Sequence, residues 1–234
     1  MKKNTLVFLL LIVGSYCYSQ TFGGTDQTIA PIYYNLSTIE ANKNYRSTFF
    51  KDVEGTPYIF KDFVLSEIEG IKSKMMLRYN AYDDVVEVEK APEEIYTISK
   101  DPAYSVIYMN YNRKKLRLVT FQDKKNEMTM IYAFELINNS ILSLLRRDKI
   151  EFKEGKVART SFELNSSPKF TSVKSTYLLE QKDKKIIEFP NSKAKLIDLY
   201  PSSETEIKSY LKKNKINFND EKDLIATTQF LSSL

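Results

Sequence analysis

The chain has 234 residues, with 35 Lys and Arg against 30 Asp and Glu, a formal net charge of +5, one Cys, no His and no Trp. A balance this even is not that of nucleic-acid binders, which concentrate cations to neutralise phosphates. Without imidazole, Ser-His-Asp and Cys-His nucleophile systems are excluded, as are zinc, copper and haem sites of the usual nitrogen and sulfur kinds.

At the front, Lys2 and Lys3 precede an apolar run over residues 6–13, and small residues follow at Ser15 and Ser19. That run is shorter than the roughly 20 residues needed to cross a hydrocarbon core, so it reads as a signal peptide over 1–19 rather than a membrane anchor. Cleavage after Ser19 leaves 234 − 19 = 215 residues, 33 basic against 30 acidic, and removes Cys17. Lipid attachment at Cys17 is disfavoured because Tyr16 stands where a small residue is required. The exported chain is then expected to hold together by burial alone, and about 215 residues suffice for one good core or two small ones.

Residues 20–54 read as an N-terminal lead-in; the polar start with Gly23 and Gly24 has little to bury, and 31–51 fits neither the helical nor the strand period. From Gly55 to Phe189 the β signal is steady. Strands are predicted at 58–60, 63–68, 71–80 and 85–90, with a turn at Tyr82, Asp83 and Asp84, and then at 94–99, 104–109, 115–121 and 127–137. The last of these is expected to carry Met128, Met130, Tyr132, Phe134 and Leu136 on one side, and to end in a two-residue Asn138-Asn139 turn at positive φ. Further strands are predicted at 141–145, 149–152, 176–180 and 185–189. Short strands with tight connections and no intervening helices point to an antiparallel meander. About ten strands do not stay flat, so the meander is expected to curl into a sandwich or open barrel.

After Phe189 the period becomes helical. Pro190, Asn191 and Ser192 start a short helix that Pro201 ends; Ser203 and Glu206 stand in capping-box spacing; Asn219 is placed to cap a final helix. The segment 190–234 is expected to pack on the β domain of 55–189.

The chemistry-bearing candidates are few. Asp83 with Asp84, Glu87 with Glu89, and Glu93 with Glu94 are sequence neighbours, whereas glycosidase carboxylates come from separate segments and stand about 5 to 9 Å apart. They read as turn formers and wet strand faces. Asn217, Asn219 and Glu221 imitate the start of a calcium loop, but Lys222 replaces its glycine and Thr228 its bidentate glutamate. No metal, cofactor or catalytic residue is expected. The 16 Tyr and 14 Phe are first of all good strand residues. One binding candidate stands out: Lys208, Lys212 and Lys215 share a helix face opposite the apolar stripe of Ile207, Tyr210 and Leu211.

The phrases GTPYIFKDF, LRYNAYDDVVEV, KKIIEFPNSKAKLIDLY, EIKSYLKKNKINFNDEKDL and the closing FLSSL resemble a family of short exported proteins of unknown function from Bacteroidetes-type Gram-negative bacteria. The resemblance implies an envelope location, periplasmic or outer-membrane-associated, and supplies no active site. The resulting expectation is a non-enzymatic protein that acts through protein–protein contacts, as an accessory subunit of an outer-membrane complex. The alternative is a β-barrel or sandwich that holds a small apolar ligand. An envelope or outer-membrane protein is the expected partner, and nucleic acid is not.

Overall fold

A computed structural model describes residues 50, 53–92, 94–110, 114–123, 126–158 and 164–234. The expected leader, Cys17 and nearly all of the lead-in lie outside the described residues. The chain runs through β1 (Val64–Ile68), β2 (Met75–Asn80), β3 (Val85–Ala91), β4 (Glu94–Thr97), β5 (Val106–Met109), β6 (Lys114–Gln122) and β7 (Met128–Asn138). It continues through β8 (Ser143–Lys149), β9 (Phe152–Lys153), β10 (Lys169–Phe170), β11 (Lys174–Glu180) and β12 (Ile186–Glu188). Helices α1 (Lys193–Leu199), α2 (Glu204–Asn214) and α3 (Glu221–Leu231) follow.

The protein is mainly antiparallel β with three C-terminal helices. Ten strands form one open sheet in the order β12-β11-β8-β7-β6-β5-β1-β2-β3-β4, and β9 and β10 make a separate ribbon. The meander is interrupted once within that sheet: β5 pairs not with β4 but with the free side of β1, where Glu67 lies opposite Tyr108. The β2–β3 hairpin pairs Leu77 with Val88 and Tyr79 with Val86. Its turn is braced by Asn80, whose side-chain oxygen accepts from the backbone N–H groups of Tyr82 and Asp83 at 3.1 and 3.0 Å.

Alternation along the strands sorts the apolar side chains into three clusters. Leu77, Val86, Val88, Ile107, Leu116, Tyr132 and Phe134 belong to the first. In it the Tyr79 ring stands 6.1 Å from that of Tyr132 and 5.9 Å from that of Phe134, so β2 touches β7 although β6, β5 and β1 separate them in the sheet. The opposite face of β6 and β7 supplies Val119, Phe121, Ile131 and Ala133 to another cluster, completed by Leu145, Leu178 and Ile186. The third joins Leu144 and Leu179 to Leu196, Ile207, Leu211, Leu224 and Leu231 of the helices.

Several local expectations are corrected. Residues 58–60 form no strand, because Pro57 and the following loop leave only an isolated bridge between Tyr58 and Asn80. Strand β2 starts at Met75, four residues later than read. Along β7 both Ile131 and Tyr132 are fully buried while Met128 and Met130 are exposed, since this strand is covered on both faces and its start is not. Asn138 and Asn139 are not among the residues at positive φ; instead the Asn139 side chain accepts from the N–H groups of Ile141 and Leu142 and turns the chain with ordinary backbone angles. Ser192 caps α1 by accepting from the Lys195 N–H. Ser203 makes no capping bond, because it ends the short 3-10 turn of Pro201–Ser203 and holds φ −117°, ψ 25°. The cap of α3 is Asp220, not Asn219: its carboxylate accepts from the N–H groups of Lys222 and Asp223.

Candidate interaction surfaces

The buried charges neutralise one another. On one side of the β2–β3 hairpin, Arg78 donates to Glu87 at 2.6 Å and to the Tyr58 hydroxyl at 2.9 Å, with its guanidinium 3.7 Å from the Tyr58 ring centre. Arg117 on β6 spans Glu180 on β11 at 2.6 Å and Glu135 on β7 at 3.2 Å. Burial alone raises the Glu180 carboxyl, but hydrogen bonding and charge from Arg117, with help from Lys184 and Ser143, outweigh it and hold Glu180 below the usual glutamate range. Arg146 on β8 meets Asp148 at 2.9 Å and Glu221 at the head of α3 at 2.7 Å, tying helix to sheet.

Several carboxylates of the sequence pairs are held by polar neighbours, and Asp83 and Glu87 share the Asn80 amide. Asp84 pairs with Lys100 at 2.7 Å, Asp83 accepts from the Asn80 amide, and Glu94 pairs with Lys90 at 3.2 Å. Glu93 lies outside the described residues. Among the described residues no group of three or more Cys, Asp or Glu side chains is placed to hold a metal ion. Nor is any described helix long and apolar enough to cross a membrane.

Two surfaces stand out among the described residues. On the outer face of β1, β2 and β5, Leu65 lies directly opposite Met76, and Tyr108 lies opposite Glu67. Leu65, Met76 and Tyr108 are 47, 36 and 41% exposed, on a face whose rim holds the Lys74–Glu67 ion pair at 2.7 Å. Sequence reading missed this patch, although the outward register of Leu65 and Met76 was visible in the alternation of their strands.

The second surface is a cleft of about 360 Å³ lined by Lys193 and Ile197 from α1, by Lys208, Leu211 and Lys212 from α2, and by Lys215 and Ile216 just beyond it. All three lysines read from the sequence therefore meet in one place. They are joined by Lys193, which no spacing along α2 could reveal. They also do not stand apart from the apolar stripe, because Leu211 lines the same cleft. Lys208 pairs with Glu204 one turn earlier, whereas Lys193, Lys212 and Lys215 have no carboxylate partner among the described residues.

The chain matches no family model, no curated protein and no solved structure.

Proposed function

We propose that this is a non-enzymatic protein of the cell envelope that acts by protein–protein interaction, as an accessory subunit of an outer-membrane complex. The observation that carries this reading is the Leu65–Met76–Tyr108 patch, with apolar side chains on the outside of a sheet whose other face carries the buried Leu77, Tyr79 and Val88. Contiguous exposed apolar surface marks interaction sites, and Tyr and Met are enriched in them. The leader-like N-terminus and the family resemblance support the compartment. In this reading the sheet makes two open half-barrels that share β6 and β7, and the helices back the second of them, leaving the outer face of β1, β2 and β5 for the partner.

Affinity purification of the protein from its native envelope tests the reading. The expected result is a stoichiometric outer-membrane assembly that is lost with Leu65→Glu plus Met76→Glu while the melting temperature is unchanged. Recovery of a bare monomer from both forms overturns it. A second reading, a carrier for a small apolar ligand, draws on a cleft of about 430 Å³ beside Phe121, Met128 and Ile186, where β12 approaches β6. Binding of a fluorescent fatty-acid analogue that Phe121→Glu abolishes would favour the carrier.

A further inference from the structure

We infer that the lysine-rimmed cleft between α1 and α2 is a docking site for an acidic peptide segment of a partner protein, one that lowers an aliphatic side chain between flanking carboxylates. The charge lies on the exposed Lys193, Lys208, Lys212 and Lys215, and the apolar lining is the half-buried Ile197 with the edges of the core residues Leu211 and Ile216. The occupant must match both within the length of a few residues. A free phosphate answers the ammonium groups and leaves the apolar lining uncovered. A bilayer is broad and flat, and meets the exposed lysines without entering a cleft of about 360 Å³ between two helices. A peptide whose leucine, isoleucine or methionine is flanked by Asp or Glu satisfies lysines and apolar lining together, and the cleft exceeds the roughly 300 Å³ at which ligand sites begin.

The local needs of the helices do not account for the cluster. Lys212, in the last turn of α2, complements the negative end of the helix dipole. Lys193 belongs to a different helix, and Lys215 holds the left-handed backbone, φ 50°, ψ 44°, at the C-terminal cap. Glycine or asparagine is the usual residue in that conformation, so backbone stability alone would not select a lysine there.

The test uses the purified protein and a fluorescently labelled, end-blocked peptide of one leucine flanked on each side by two aspartates. The expected result is saturable binding that weakens with salt, with amide shifts centred on Lys193, Leu211 and Lys215. Lys193→Glu plus Lys212→Glu is expected to weaken binding about tenfold or more, and Lys215→Gly about threefold, the scale of one exposed ion pair. Because Lys215→Gly relaxes the backbone, its melting temperature is expected to stay level or rise, which separates loss of binding from loss of fold. Equal affinity for the same peptide with serine in place of leucine overturns the proposal, since the apolar lining would then play no part. So does binding to phosphatidylglycerol vesicles without binding of the peptide. The sheet patch takes no part in this experiment, so the outer-face reading can fail while the cleft stands, and the reverse.

Discussion

Asp84 sits at φ 56°, a conformation that costs an L-residue roughly 1 to 2 kcal/mol and that glycine would adopt freely. Its carboxylate accepts from the Tyr79 hydroxyl at 2.8 Å, the Tyr132 backbone N–H at 3.1 Å and Lys100 at 2.7 Å. Charge-assisted bonds are worth about 1.5 to 3 kcal/mol each, so the side chain outweighs the backbone it forces. Asp84→Gly is therefore expected to destabilise by about 3 kcal/mol or more in urea unfolding despite relieving the angle, and a stabilised variant would refute that balance. Glu180 makes the complementary case through its charge. Its folded carboxyl titrates below the unfolded one, so its contribution is full above the unfolded value near about 4.3 and is lost as pH falls through the lower folded value. Glu180→Gln leaves Arg117 with Glu135 alone, and is expected to cost about 3 kcal/mol at pH 7. The gap between wild type and variant should narrow as unfolding is repeated at progressively lower pH below 4.

At the scale of elements, the helix ends separate what spacing can decide from what it cannot. Ser203 and Glu206 have the right interval for a reciprocal cap, yet the preceding 3-10 turn takes Ser203 out of the extended backbone that capping requires. Asp220 has that backbone, φ −100° and ψ 122°, and accepts from N–H groups at 2.9 and 3.2 Å. Asp220→Ala is expected to lower stability by about 1 kcal/mol and Ser203→Ala by nearly nothing, a contrast that thermal unfolding of the two variants measures directly. The strands follow the same division. The β2–β3 hairpin was legible because alternation and turn residues agree over adjacent segments, and the Lys208, Lys212 and Lys215 row because one helix carries it. The pairing of β1 with β5, the burial of both faces of β7 and the arrival of Lys193 beside the α2 lysines depend on contacts between distant segments. Local periodicity carries no information about those.

For the whole molecule, the decisive feature is that the three apolar clusters share strands. Leu116 and Tyr132 face one cluster while Val119 and Ile131, on the same two strands, face another, and on β8 Leu145 and Leu144 divide in the same way between the second and the helical cluster. Releasing one cluster strips the hydrogen-bond ladder from the next, so the open sheet and its helices should unfold as one unit although the chain is longer than most two-state domains. Ile107 in the first cluster and Ile207 in the helical one are both fully buried and belong to different clusters. Ile107→Val and Ile207→Val are each expected to cost about 0.5 to 1.5 kcal/mol, and the double variant their sum within about 0.5 kcal/mol. Far-ultraviolet circular dichroism, which follows the backbone, and tyrosine fluorescence, which reports rings in the first cluster such as Tyr79 and Tyr132 together with Tyr177 and Tyr210 beside the helices, should then move together through a single transition in all three variants. A separate early transition in Ile207→Val alone would show that the helices detach first, and that β8 does not couple them to the rest of the sheet.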